Sequence, residues 1–413
     1  MNFTKYNIRR VLWAFALYDR IEVSYVNVYL ITQENGDSMF KKHIDKLDIS
    51  PSLLGFGCMR FPTKDGEIDE VLAEQMLDRA YEAGITYFDT AYPYHGGKSE
   101  PFVGRVMQKY PRDSFTLATK LPLWAVNTLD DAKRLFAEQL ERLRTDYVDF
   151  YLLHACNRDR FDKMVDLGVV DYLVKEKEAG RIRFLGFSFH DNFEAFRHII
   201  EYRDWDFCQI QYNYMDVDDQ AGDAGVALAE ALGIPLVIME PVKGGSLAVL
   251  PEDVTKPFRH LDPDASTASW ALRFVASKNN VKVVLSGMST PEQLEDNLKT
   301  FTDFKPLTEE EEEAVMHVAD ALHKRVFNGC TGCRYCMPCP NGVNIPGNFS
   351  IWNDYGMYNN TGRTKWKWEH DIPDEAKAKS CIECGLCEEA CPQHISIREN
   401  LKELQEMLDN ITQ

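Results

Sequence analysis

Eight short apolar runs, each followed by a helix-length segment, recur along the chain from Leu53 onward, and this alternation constrains the fold more than any other feature. The first run, Leu53–Met59, is followed by a segment from Asp69 to Ala83 with apolar residues at Leu72, Met76, Leu77 and Ala80, closed by Gly84. Further strands are expected over Tyr87–Thr90, Phe115–Lys120, Tyr147–His154, Phe184–Phe189, Phe207–Tyr212, Pro235–Glu240 and Val281–Ser286. The runs are rich in Val, Ile, Leu and Phe without strict alternation, which suits parallel strands buried on both faces. Eight such units in about 250 residues predict a closed (β/α)8 TIM barrel of the α/β class better than an open doubly wound sheet. No G-x-G-x-x-G follows the first run, so the dinucleotide fingerprint of the open type is missing.

In such a barrel the C-terminal ends of the strands converge on one mouth. Asp89, Lys120 and His154 end three expected strands, and Tyr94 lies in the turn after the first of them, ahead of a helix start at Ser99-Glu100. Singly, each has a plain structural reading: a capping carboxylate, a solvated cation, a satisfied histidine and a loop anchor. Four such groups at successive strand ends argue against coincidence. Trp124 and Tyr92, in loops after strand ends, read equally as pocket lining or as structure.

The motif Asp-Thr-Ala-x-x-Tyr (Asp89 to Tyr94), with Ser99-Glu100, Thr119-Lys120 and Leu152-Leu153-His154, resembles the aldo-keto reductase family. The resemblance continues through Gly186-Phe187-Ser188, Gln209 to Asn213, Glu240 to Gly245 and Ser286 to Asn297. It implies that Asp89, Tyr94, Lys120 and His154 form a catalytic tetrad for reducing a carbonyl-bearing small molecule by hydride transfer. The chemistry is coherent, because a phenol with a pKa of about 10 is a poor acid at neutral pH and a neighbouring ammonium helps it. Lys120 would stabilise the phenolate of Tyr94, Asp89 would hold Lys120, and His154 would orient the substrate oxygen.

The same resemblance places Ser188 and Gln209 at a nicotinamide carboxamide and Met239 where relatives often set an aromatic ring. The family's usual Asn after that Ser is Phe189 here, followed by His190. Between Ser286 and Asn297, Gly287 and Gln293 stand where many relatives put basic residues for a ribose 2′-phosphate. NADPH, NADH and a flavin therefore remain open as cofactors.

Thr308 followed by five glutamates is expected to open a helix running to about Arg325, the acids forming a solvated first turn. Cys330-x-x-Cys333-x-x-Cys336-x-x-Cys339-Pro340 follows, then Cys381-x-x-Cys384-x-x-Cys387-x-x-x-Cys391-Pro392. Zinc ribbons also use C-x-x-C pairs, but two four-cysteine runs each ending in Cys-Pro favour iron–sulfur, and the second matches the bacterial ferredoxin spacing. By analogy with two-cluster ferredoxins, Cys330, Cys333, Cys336 and Cys391 would hold one [4Fe–4S] cluster. Cys381, Cys384, Cys387 and Cys339 would hold the other. The combination resembles an iron–sulfur subgroup of the aldo-keto reductases. Cys58, Cys156 and Cys208 lie in barrel strands or at their ends and read as packing residues.

The expected organisation is a leader over 1–38, a barrel over 39–305, a linking helix over 306–326 and a ferredoxin-like cluster domain over 327–413. Val11 to Tyr18 is too short to cross a bilayer, which takes about 20 apolar residues, and no small-residue cleavage site follows Arg9-Arg10. Met39 is therefore the expected start of translation. A formal charge of −19 over 413 residues argues against nucleic acid and anionic membranes as partners. Clustering of eight of the 11 cysteines points to a cofactor and to the reducing cytoplasm. Nicotinamide delivers electrons in pairs and clusters pass them singly, which leaves three readings. One is a nicotinamide-dependent carbonyl reductase carrying clusters, the second a flavin-mediated reductase fed by an electron-transfer protein, and the third a redox sensor without catalysis.

Overall fold

A computed structural model describes residues 38–412, so the expected leader lies outside the described residues but for Ser38. Eight parallel strands close a barrel: β1 (Leu54–Gly57), β2 (Tyr87–Asp89), β3 (Thr116–Pro122), β4 (Val148–Cys156), β5 (Ile182–Phe189), β6 (Phe207–Gln211), β7 (Leu236–Met239) and β8 (Val281–Ser286). Neighbours in sequence are neighbours in space, and β8 closes on β1 with Leu54 opposite Val284 and Phe56 opposite Ser286. All eight expected strands are present.

The strands differ in reach. β3, β4 and β5 run for 7, 9 and 8 residues, whereas β1, β2 and β7 have only 3 or 4. Pairing of β3 with β4 continues past the expected ends, through Leu121 opposite Leu153 and Pro122 opposite His154. Lys120 and His154 therefore lie inside their strands, not at their last residues. Proline tolerates this place because its missing N–H falls at the final pair of the ladder.

Helices pack outside the barrel because their apolar faces recur with helical period. In Leu129–Leu143, for example, Ala132, Leu135, Phe136 and Leu143 are buried and Thr128 closes a capping box with Asp131. Each fully buried Leu or Phe contributes on the order of 1.5–3 kcal/mol. Residues 39–52 form a strap under the barrel, where Met39 and Ile44 are buried. There the Lys42 ammonium donates to the carbonyls of Ala276, Lys278 and Val281 at 2.7, 3.1 and 3.1 Å.

The helix expected after Thr308 spans Glu309–His323, with Thr308 and Glu311 closing a capping box. Its apolar side, Ala314, Val315, Val318, Ala319 and Leu322, belongs to the barrel's own core. A second, smaller core follows, built from Val343, Ile345, Phe349, Ile351, Trp352, Trp368 and residues of the last helix, Ile397–Thr412. This cysteine-rich region docks on the barrel. Tyr358, ending helix Ile345–Tyr358, is buried in the barrel core, and Arg325 pairs with Asp253 at 2.7 Å while donating to the Gly356 carbonyl at 3.0 Å. Among the described residues no helix is long and apolar enough to cross a membrane.

Candidate functional site

Asp89 ends β2, and the chain then turns through Tyr94–Gly97, where His95, Gly96 and Gly97 all have positive φ. Two glycines make that left-handed stretch tolerable, and the turn swings the Tyr94 ring back over the barrel. The Lys120 ammonium lies 5.0 Å from the centre of the Tyr94 ring. It donates to Asp89 Oδ1 at 2.6 Å and to the Thr90 carbonyl at 2.8 Å. Tyr94 meets the His154 imidazole edge to face at 6.1 Å, and Trp124 covers the other side of His154 at 5.1 Å. The four residues expected to act together are thus in one place.

Electrostatics give each a defined state. Burial works against both charges and raises the Asp89 carboxyl, but Asp89 and Tyr94 outweigh it at Lys120 and raise that pKa, and the two groups pair at 2.6 Å. Burial also raises the Tyr94 phenol, and the Lys120 charge only partly offsets this. Lys120 thus favours the phenolate as expected, but burial prevails and Tyr94 stays protonated. Burial, and then the Lys120 charge, hold His154 well below its ordinary value, which keeps it neutral.

Behind the pair lies a buried polar network not expected from the sequence. Glu100 Oε1 accepts from Thr119 at 2.6 Å and from Gln139 at 2.7 Å, and Gln139 also donates to the Lys120 carbonyl at 3.0 Å. The Tyr151 hydroxyl donates to Gln139 at 2.7 Å, and Arg142 reaches Glu100 at 3.4 Å while covering the Tyr92 ring at 4.1 Å. Tyr92 therefore faces Arg142 and serves structure. The one sequence signal was Ser99-Glu100 itself, a carboxylate at a helix start with no visible partner.

Of the six cofactor positions, Ser188 and Gln209 are paired across β5 and β6, and the Gln209 amide reaches Met239 Sδ at 3.4 Å. Gln209 Oε1 is buried without a partner, as are Asp89 Oδ2 and His154 Nδ1. An unpaired amide end in the mouth fits a nicotinamide carboxamide, which offers both a donor and an acceptor. The other three sit differently. Asn297 donates to Ser286 at 2.7 Å, and Gln293 Oε1 accepts from the Ser289 N–H at 2.8 Å, so both brace the β8 loop. A side chain at Gly287 would meet Arg60 at 3.1 Å, so Arg60, passed over in the sequence, lies across that glycine.

The eight cysteines of the C-terminal region gather around two small cavities open to solvent. Cys339, Cys381, Cys384 and Cys387 line one, and Cys330, Cys333, Cys336 and Cys391 line the other. Among the described residues no three His, Cys, Asp or Glu side chains converge as one metal ion requires. Each set joins three cysteines of one run to the last of the other, the crossed arrangement implied by analogy with two-cluster ferredoxins. Cys58, Cys156 and Cys208 are fully buried in the barrel.

A closed (β/α)8 barrel with a protonated tyrosine over a buried Lys–Asp pair, carrying two four-cysteine cavities, defines an oxidoreductase with an iron–sulfur domain. Residues 53–320 match the aldo/keto reductase family, and the chain belongs to it. Residues 329–395 match the 4Fe-4S dicluster domain. Among relatives, the uncharacterized oxidoreductase YqkF of Bacillus subtilis (strain 168) is 28% identical over 323 residues, covering 69% of this chain and 99% of that one. The NADH-specific methylglyoxal reductase of Escherichia coli (strain K12) is 25% identical over 305 residues, covering 63% and 93%. Among solved structures, the aldo-keto reductase AKR11C1 from Bacillus halodurans in its holo form has a TM-score of 0.58 at 28% identity, covering 68% and 96%.

Proposed function

We propose that the barrel reduces a carbonyl on a small molecule, with Tyr94 as proton donor and a nicotinamide held by Ser188, Gln209 and Met239. The observation that carries this reading is the buried Asp89–Lys120 pair, 2.6 Å apart, beneath the Tyr94 ring. When bound, the nicotinamide supplies hydride. The neutral His154 imidazole orients the carbonyl oxygen without competing to protonate it, and the Tyr94 hydroxyl gives its proton to the oxygen as negative charge develops there. The resulting phenolate stands beside the Lys120 ammonium in a water-poor site, where such a charge is best stabilised. Asp89 keeps that ammonium charged and in place.

Segment 287–297 carries Glu292, Glu295 and Asp296 and no Lys or Arg, which supports NADH over NADPH. The name of the Escherichia coli relative points the same way. Arg60 is the cation able to reverse this preference, and Arg60→Ala should widen the ratio of NADPH to NADH dissociation constants if it does. In the C-terminal domain we assign two [4Fe–4S] clusters, to the two cysteine sets that line the cavities. Exposure of Cys333 and Cys384 puts one thiol of each set at the surface, which supports electron exchange with a partner protein over a purely structural role. One-electron carriers exchange with a hydride donor only through a group that holds a single electron, so a flavin assay on purified protein decides whether barrel and clusters are wired together. The clustering of eight of the 11 cysteines in a cofactor pattern supports a reducing, cytoplasmic setting.

Tyr94→Phe tests the reading. Cofactor binding should stay near wild type while turnover on a reducible carbonyl falls by about 10²-fold or more. Wild-type turnover in that variant would remove Tyr94 from the reaction.

A further inference from the structure

The turn that follows β7 is held in an unusual shape. Glu240, Lys243, Gly244 and Gly245 all have positive φ, at 57°, 50°, 60° and 93°. Left-handed backbone at the two non-glycine residues is strained and persists only where surroundings fix it. Within the barrel, Lys243 pairs with Asp216 at 2.5 Å, and Asn213 donates to the Glu240 carbonyl at 3.2 Å. The turn also bonds within itself, the Lys243 N–H donating to the Glu240 carbonyl at 3.0 Å and the Gly245 N–H to the Val242 carbonyl at 2.9 Å, and a further tie comes from the cluster domain.

Arg363, in the first turn of helix Thr361–His370, donates from Nη1 to the Gly244 carbonyl at 2.9 Å. A methyl at Gly244 would meet Nη1 at 3.3 Å and Nη2 at 3.6 Å, with Glu240 Oε2 also at 3.6 Å. A side chain there would push the guanidinium back by a few tenths of an ångström, and the positive φ also favours glycine. Arg363 Nε is buried and has no partner, so the side chain is placed by packing and by this one bond. Nearby, Tyr358 inserts into the barrel core from the same domain.

The turn begins one residue after Met239, whose sulfur takes the Gln209 amide. We infer that Arg363 is a positioning residue of the barrel mouth: the cluster domain, through this guanidinium, fixes the Glu240–Gly245 turn and with it the Met239–Gln209 side of the nicotinamide site. The inference rests on the nicotinamide reading for its effect on binding, but not for its effect on the turn. The cluster domain is then part of how the barrel binds its cofactor, and not an appendage beside it. Whatever loosens that domain, loss of iron included, also loosens the cofactor's seat.

Full-length, iron-loaded protein carrying Arg363→Met or Arg363→Lys provides the test, with iron content confirming that the clusters are intact. NADH affinity is read from quenching of protein fluorescence, and amide hydrogen exchange is followed over residues 240–247 with no ligand added. Arg363→Met should weaken NADH binding by about tenfold, a typical coupling between packed elements, while turnover at saturating NADH changes less than about threefold. Exchange across 240–247 should quicken, and Arg363→Lys should recover part of both effects because an ammonium still reaches the Gly244 carbonyl. Wild-type affinity together with unchanged exchange in Arg363→Met overturns the inference. Should wild-type protein bind neither NADH nor NADPH, the nicotinamide reading fails by itself, and exchange alone then decides: unchanged protection rejects Arg363, and lost protection supports it.

Discussion

The barrel mouth and the cysteine cavities are two polar sites in one chain, organised in opposite ways. In the mouth the charged groups hold one another, with Lys120 satisfied by Asp89 and the Thr90 carbonyl, and its strand braced by Glu100, Thr119 and Gln139. That site is shaped before any ligand arrives. In the cavities the thiols of each set ring a space and do not close it, while the core around them comprises only 12 buried residues. A core that small is marginal, and metal–thiolate bonds are the added source of stability that small domains use. One site is therefore preorganised by packing, and the other is organised by its cofactor.

Stripping iron should break this contrast most visibly. Anaerobically purified protein should carry about eight iron per chain with matching sulfide, and chelation should expose residues 327–412 to protease while the barrel stays resistant. By comparison with structural metal sites, the lost stabilisation is of order 10 kcal/mol. Stoichiometric zinc without sulfide, or a cluster domain that survives chelation, would reject the contrast. In the mouth, Asp89→Ala leaves the Lys120 charge buried and unpaired, so thermal or urea unfolding should show a loss of about 3–5 kcal/mol. Adding Lys120→Met should return part of it, because the stranded charge is gone. A loss under about 1 kcal/mol would mean that water reaches Lys120 and the mouth is less preorganised than its geometry states.

The smallest effect concerns pH. The folded state keeps His154 neutral well below pH 6.5, whereas the unfolded chain takes up a proton near 6.5, so stability falls as pH drops through and below that value. This one group contributes a slope of at most about 1.4 kcal/mol per pH unit. His154→Gln should flatten the stability profile below pH 6.5 relative to wild type. An unchanged profile would show that His154 protonates freely in the folded protein.

What the sequence disclosed follows from how local each feature is. Strands buried on both faces carry their signature in a few consecutive residues, so all eight were readable, and so was the capped helix after Thr308. Asp89, Tyr94, Lys120 and His154 were readable because barrel topology converts strand-end positions into proximity. The extension of β3 and β4 past Lys120 and His154 was not, since Pro122 looks like a terminator until its partner strand is known. Gln293 and Asn297 sat in the expected segment but bond within their own loop, a choice between two acceptors that spacing does not encode. Arg60, Gln139 and Arg363 were missed for a related reason. Their significance lies in contacts across 12 to more than 200 residues of chain, and each alone resembles an ordinary surface or helix residue.

The seam between β1 and β8 sets the order in which the barrel can assemble. Every other neighbouring pair of strands is consecutive in the chain, but Leu54 meets Val284 only after almost the whole barrel has been laid down. Closing so long a loop is entropically slow, so this pairing is the natural last step of folding. The strap crosses that seam underneath: Phe40 donates to the Phe301 carbonyl at 3.0 Å, and Lys42 reaches the chain leading into β8. It acts as a latch, added when the ring closes and first to be released when it opens. Cutting the chain within residues 39–52 should accordingly hasten unfolding far more than it slows refolding.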